Sequence, residues 1–173
     1  MRARSWLAIL AVAILAAFTI AVQAGAETMK LHRTTVLTKI EVLKVEDVPD
    51  HVIGLYEHTG GGHFETGEVA SVMEKGTIDY IKGNGTSQSY VRLTFEDGST
   101  IDTKVQNTTR ADPSGKGLRF EGTSMILQGT GRWAGIQGTG THTGRRLVPV
   151  AAGFPGGTPI FVDLTLTYTL PGR

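Results

Sequence analysis

The 173-residue sequence has no cysteine, few aromatic residues and no marked excess of charge of either sign. Without cysteine, the chain can form neither disulfides nor a thiolate zinc site, and it has no thiol nucleophile. Its 17 Lys and Arg residues nearly balance its 16 Asp and Glu residues, and none of the basic residues cluster. The sequence therefore gives no electrostatic basis for binding nucleic acid, and we predict no nucleic-acid partner.

The one long apolar run, residues 6–22, lies at the N-terminus and follows Arg2 and Arg4. An Ala-Gly-Ala sequence that ends at residue 26 then gives the small-residue pattern of a signal-peptidase site. Residues 1–26 are thus predicted to be a signal peptide. An uncleaved membrane anchor is the alternative, because the run is about as long as a membrane span.

Cleavage would leave residues 27–173, a length that suits a single domain with one core. Removal of Arg2 and Arg4 leaves 15 basic residues against the 16 acidic ones. We predict a secreted or periplasmic protein that is stable without disulfides and does not contact the membrane once the signal is cleaved.

No segment of the remaining chain has the periodicity of an amphipathic helix, whereas glycine separates runs rich in threonine and β-branched residues. About seven to nine strands with local connections favour an antiparallel meander closed into a small barrel, with a β-sandwich as the alternative. The clearest alternation of apolar and polar residues spans 160–170. In the first strand we expect Val36, Thr38, Ile40 and Val42 to share one face.

The strongest hairpin pattern spans residues 89–105. A two-residue loop would place the two apolar sets on opposite faces, whereas a three-residue loop with Gly98 in the left-handed conformation places them on the same face. That loop predicts that Leu93 pairs with Ile101, and that Arg92 forms an ion pair with Asp102 across the strands.

Residues 129–144, GTGRWAGIQGTGTHTG, begin like a phosphate-binding loop. Such a loop needs a following helix to supply the field for the phosphate, and the glycines that follow would destabilise a helix. We interpret the stretch as a tight turn and a bent strand, with Trp133 buried among the glycines.

The sequence FEGTSMILQGTGRWAGIQGTGTHTG, residues 120–144, resembles the allene oxide cyclase and dirigent barrel superfamily, and is most similar to its exported bacterial members. The resemblance implies an eight-stranded antiparallel, calycin-like barrel. It also implies an apolar small-molecule ligand inside the barrel and cyclisation or coupling chemistry without a cofactor. The catalytic residues of the family do not map onto this sequence, so we assign none.

Several side chains are candidates for the lining of such a barrel, chosen because they are aromatic or because a charge on a strand could face a cavity. They are Tyr56, Tyr80, Tyr90, Arg92, Arg119, Trp133 and Tyr168. For the charged members, the alternative is an outward position with weak surface pairing.

A second candidate site is the segment YEHTGGGHFETGE, which holds His58, His63 and Glu65. We interpret it as a polar loop, in which the glycines leave the two imidazoles without fixed geometry. Two histidines and a carboxylate could bind a metal or a substrate, but no metal site is predicted.

Two functions follow from the sequence. The first is a cofactor-independent binder of an apolar small molecule, which as an enzyme would be a cyclase or isomerase. The second is a non-enzymatic exported interaction or structural module, with homo-oligomerisation through a barrel face. A binder needs an open-ended cavity of roughly a few hundred Å³ lined by aromatic and a few polar side chains, whereas a module can have a barrel filled by its own side chains.

Overall fold

The computed structural model describes residues 25–114, 117–148 and 157–171. Residues 1–24, which include most of the predicted signal peptide, lie outside the described residues. Within these described ranges, no helix has the length and hydropathy needed to cross a membrane.

The described chain is a closed barrel of eight antiparallel strands, each paired with its neighbours in sequence, and the last strand pairs with the first. The strands are β1 (Glu27–Lys44), β2 (His51–Phe64), β3 (Val69–Ile81), β4 (Asn84–Phe95), β5 (Thr100–Ala111), β6 (Leu118–Gly129), β7 (Gln137–Arg146) and β8 (Pro159–Thr169). The predicted fold class is confirmed, and closure leaves no free sheet edge among these strands.

The predicted hairpin is confirmed in its register. Leu93 lies opposite Ile101 and Arg92 opposite Asp102. Gly98 has a φ of +79°, as the three-residue loop requires. The Arg92 guanidinium makes two hydrogen bonds to Asp102, at 2.7 and 2.8 Å. Arg92 and Asp102 both lie on the outer surface, so the pair contributes little to stability.

The glycine-rich stretch is also a turn and a strand, as predicted. Gly131–Trp133 form a single 3₁₀ turn, and β7 follows it. Trp133 is buried and packs against Phe95 and Tyr168, with ring centroids 5.4 and 5.9 Å apart. No helix follows the glycines, so a phosphate would find no helix N-terminus here.

The prediction for the first strand is wrong. The residues of β1 that face the barrel interior are Leu31, Arg33, Thr35 and Leu37, whereas Thr38 and Val42 are exposed. A bulge between Leu37 and Lys39 shifts the register by one residue, so Ile40 turns inward although Val36 does not. A single periodicity applied across the bulge therefore placed on one face residues that lie on two.

The interior is divided along the barrel axis. One half is filled by a single apolar cluster that includes Leu31, Leu93, Ile101, Trp133 and Leu166. The other half has a smaller cluster, Leu37, Tyr56, Ile78 and Tyr80, beside an open cavity. Buried polar side chains such as Glu74, Ser89 and Ser124 add hydrogen-bonding groups to an interior that strand alternation alone would make apolar.

Candidate functional site

A cavity of about 70 Å³ occupies the less filled half of the barrel. Its walls are largely aliphatic and aromatic, and charged side chains lie among them. The residues that line it are Arg33, Leu37, Ile40, Tyr56, His58, Glu74, Ile78, Tyr80, Ser87, Asn107, Thr109, Leu118, Phe120, Arg146 and Ile160. This volume is below the roughly few hundred Å³ expected of a ligand-binding barrel, so the cavity suits a small ligand or one part of a larger ligand.

The polar floor of the cavity is centred on the carboxylate of Glu74, which is almost fully buried. Oε1 of Glu74 accepts hydrogen bonds from the hydroxyls of Ser89, at 2.7 Å, and Tyr56, at 3.1 Å. Oε2 lies 3.1 Å from Nη2 of Arg33 and 3.6 Å from Nδ1 of His58. A buried carboxylate is stable only with such compensation, and here three donors lie within hydrogen-bonding distance.

Four strands supply this floor, and their pairing explains its geometry. His58 and Glu74 are direct partners across β2 and β3, so both point inward at the same level. Tyr56 lies opposite Gly76, where an added Cβ would come within 2.7 Å of the Tyr56 ring. The absence of a side chain at Gly76 therefore gives the ring room to lie along β3 and reach Glu74.

The charge state of the floor follows from these contacts. Burial raises the pKa of Glu74, but the Arg33 guanidinium, His58 and the Ser89 hydroxyl together outweigh it and hold that pKa well below its usual range. Burial and the neighbouring carboxylate raise the pKa of Tyr56 well above its usual value. Glu74 is thus an anion and Tyr56 a neutral donor at physiological pH.

Two nitrogens of the floor have no hydrogen-bond partner among the described residues. They are Nε of Arg33 and Nδ1 of His58, both buried. The 3.6 Å separation between His58 and Glu74 is close enough for electrostatic attraction but too long for a hydrogen bond. Buried polar nitrogens without a partner are rare in folded proteins, so these two atoms show that the floor lacks an acceptor.

A polar chain runs from Ser87 in the cavity wall into the barrel interior. Asn107 donates to Ser87 at 3.0 Å, and its carbonyl oxygen contacts Nε2 of His142. Nδ1 of His142 lies 3.2 Å from the Ser124 hydroxyl. Burial, with repulsion from Arg33, lowers the pKa of His142 to about 4, so the imidazole is neutral at pH 7. Its two nitrogens then act as one donor and one acceptor, which suits these neighbours.

His142 predicts a pH dependence of stability. The pKa of His142 is about 4 in the folded protein, against 6.5 for an unperturbed histidine, so between these pH values the unfolded chain binds a proton that the folded protein does not bind. The contribution is complete above pH 6.5 and is lost as the pH falls to about 4. We expect a loss on the order of 3 kcal/mol across this window.

Urea denaturation of the wild type and of His142→Gln at intervals between these pH values tests this expectation. The amide retains a donor and an acceptor but does not titrate, so its stability should fall less steeply. His32→Gln is the control, because the His32 ring is exposed on the outer face. Parallel pH profiles for the wild type and His142→Gln would contradict the assignment.

The structure brings together only some of the sequence candidates. Tyr56 and Tyr80 line the cavity. Trp133 and Tyr168 are inside the barrel but in the filled half, where they pack on each other. Tyr90, Arg92 and Arg119 face outward and line no part of the cavity, because they occupy the outer positions of β4 and β6.

The interpretation of the second candidate segment as a loop is wrong. His58 and His63 both lie on β2, which continues through the three glycines to Phe64. Because the residues are separated by an odd number of positions, they point to opposite sides of the sheet. His58 reaches the cavity floor, whereas His63 is exposed and Glu65 pairs with Lys30 on the surface, at 3.2 Å. The three side chains therefore do not form one site.

Sequence reasoning missed Arg33, Glu74 and Arg146, which supply the charges of the cavity. Charged residues on strands usually face solvent, so alternation gave no reason to place these inside. One signal was present: Arg33 lies an even number of positions from Leu31 and Leu37, as Glu74 does from Val72 and Ile78. A charged residue an even number of positions from several apolar residues lies on the same inward face of the strand, provided that no bulge lies between them.

Among the residues that the structure describes, no group of three or more histidine, aspartate or glutamate side chains is arranged to hold a metal ion. Glu74 has only one imidazole beside it, and its other neighbours are donors. What the floor can do is present hydrogen-bond donors and a fixed charge pair beneath an apolar wall.

Comparison with known proteins finds no family model, no curated protein and no solved structure that matches this chain. The resemblance to the allene oxide cyclase and dirigent superfamily stays a prediction from the residues 120–144.

Proposed function

We propose that this protein is an exported barrel that binds one small amphipathic molecule, with the apolar part of the ligand against the cavity wall and its polar end on the floor. The observation that carries the proposal is the division of the interior. One half is an apolar core, and the other is a cavity with unpaired buried donors. A barrel with a purely structural role has no need of a buried ion pair beneath empty space.

The walls and the floor select different parts of the ligand. Leu37, Ile78 and Ile160 supply aliphatic contacts, and Tyr80 and Phe120 supply aromatic ones. A wholly apolar ligand would leave Nε of Arg33 and Nδ1 of His58 without an acceptor. The ligand therefore needs a polar end, which refines the apolar small molecule predicted from the sequence.

Binding accounts for this site better than acid–base catalysis does. Glu74 is held as an anion by its neighbours, and a carboxylate with so low a pKa is a weak general base. A cyclase or isomerase could still use such a pocket to fold a flexible substrate, since exclusion of water and restriction of motion need no proton transfer. Catalysis of this kind would require the binding proposed here and would be an additional activity of the same cavity.

Blocking the cavity tests the proposal. Ile160→Trp replaces an aliphatic side chain of the cavity wall with a bulky indole ring. Ile53→Trp places the same ring on the outer surface and is the matched control. The probes are 1-hexanol, phenol and hexanoate at millimolar concentration, with thermal unfolding as the readout. We expect at least one probe to raise the Tm of the wild type and of Ile53→Trp by a few degrees, as binding to the folded state requires.

Ile160→Trp should lose this Tm increase. Because overpacking costs about 1–3 kcal/mol, the thermal unfolding of Ile160→Trp without a probe is measured first, to show that the variant folds. Native mass spectrometry of freshly purified protein provides a second measurement, through a co-purified small molecule that is lost in the blocked variant. Equal responses of the two tryptophan variants to every probe would contradict binding in the cavity.

A further inference from the structure

The cavity floor has more hydrogen-bond donors than acceptors. Glu74 is the one carboxylate among the described residues that line the cavity. Both of its oxygens are already engaged, Oε1 by Ser89 and Tyr56 and Oε2 by Arg33. A ligand with a donor at its polar end, such as an amine, would compete with these donors for Glu74 and would face the Arg33 guanidinium.

The donors that remain are specific atoms. Arg33 is almost fully buried and lines the cavity, and its guanidinium nitrogens are hydrogen-bond donors only. Its Nη2 contacts Glu74, but its Nε has no partner among the described residues. Nδ1 of His58 lies beside the same carboxylate without a hydrogen bond, and can donate in one tautomer. The atom missing from this floor is an acceptor.

The charge of the cavity favours an anionic acceptor over a neutral one. The charged side chains that line it are two guanidinium groups, Arg33 and Arg146, and one carboxylate, Glu74. Arg146 is also buried, where water screens charge poorly, and this burial lowers the pKa of its guanidinium. In such surroundings, hydrogen bonds between a guanidinium and a carboxylate are stronger than those to a neutral carbonyl.

We propose that the ligand is a small carboxylate that enters head-first, with its carboxylate accepting a hydrogen bond from Nε of Arg33 and a second from His58. Its aliphatic or aromatic body then lies against Leu37, Ile78 and Phe120. The cavity volume of about 70 Å³ limits the buried part to a short chain or one small ring. This inference rests on the proposed function, since it specifies the polar end of that ligand.

The test compares four six-carbon probes that differ only in the head group: hexanoate, hexanamide, 1-hexanol and hexylamine, each at pH 7 by isothermal titration calorimetry. We expect hexanoate to bind about tenfold or more tightly than the other three, because bonds to a charged acceptor are the stronger ones. Hexylamine should be the weakest. The double variant Arg33→Met/Glu74→Gln removes the donor together with the buried charge it compensates, and should bind hexanoate no better than 1-hexanol.

Arg92→Met, which removes an outward-facing guanidinium, is the control and should keep the preference for hexanoate. Binding of hexanamide or 1-hexanol as tightly as hexanoate would overturn the carboxylate assignment and leave the proposed function in place. Unchanged selectivity in the double variant would overturn the role of Arg33. If none of the four probes binds and the wild type carries no co-purified molecule, the proposed function itself fails.

Discussion

Arg33→Met is expected to lower the free energy of unfolding by about 3–5 kcal/mol, because it leaves the buried carboxylate of Glu74 without its compensating charge. The two side chains are only 7% and 5% exposed, and Nη2 lies 3.1 Å from Oε2. Glu74→Gln alone should also be destabilising, since Arg33 would then be the uncompensated charge. In each single variant, stability is lost because the remaining buried charge has no partner, and not because one hydrogen bond is removed.

The double variant Arg33→Met/Glu74→Gln should recover much of this loss. The Gln side chain keeps an oxygen that can accept from Ser89 and Tyr56, and neither member of the buried ion pair is left uncompensated. Urea denaturation of the four proteins gives the coupling energy of the cycle directly. Arg92→Met is the matched control: its partner Asp102 lies on the outer surface, and the expected change is below about 1 kcal/mol. Additive single-variant effects would contradict a coupled buried pair.

Gly131→Val is expected to destabilise the barrel by about 2–4 kcal/mol, from backbone strain together with crowding. Gly131 has a φ of +59°, a conformation that a β-branched residue adopts at a high cost. A Cβ at this position would also lie 2.8 Å from Cβ of Ser99, in the hairpin loop that packs against the turn. Displacement of the turn would move Trp133, which is a large part of the apolar core.

Gly61→Val is the control for that substitution. Gly61 lies on β2 with no positive φ, and an added Cβ would meet nothing within 4 Å. The same side chain in an open strand position should be nearly neutral, since valine favours β-strands. Thermal and urea unfolding of both variants, followed by tryptophan fluorescence, tests the contrast. Equal stability of Gly131→Val and the wild type would show that the turn tolerates a side chain.

The hairpin of β4 and β5 shows why part of the fold could be predicted. Its register depends on the number of residues in one loop and on the parity of two adjacent strands, and both are local properties of the chain. The turn at Gly131 is similar, because glycine spacing and the absence of a following helix are visible over about ten residues. The inward face of β1 could not be predicted in this way, since a single bulge at Thr38 reverses the parity and leaves no mark in the alternation.

The candidate site was less predictable than the fold. Tyr56, Tyr80 and His58 were identified as residue types suited to a pocket, and the structure places all three around the cavity. Tyr90, Arg92 and Arg119 are of the same types and are outside it. What separates the two groups is the face of the strand on which each residue lies. That face depends on the register of the whole strand, whatever the side chain at one position.

The sequence by itself determined an all-β chain, an antiparallel meander, one hairpin register and the bend at the glycine-rich stretch, because each follows from alternation and turn chemistry between near neighbours. Only the tertiary structure decided that Arg33 and Glu74 meet. They lie on β1 and β3, which both pair with β2 but not with each other, and the Arg33 side chain meets Glu74 over the inner face of β2. Their contact depends on the register of two strand pairs and on the curvature of the sheet, and neither can be read from alternation within one strand.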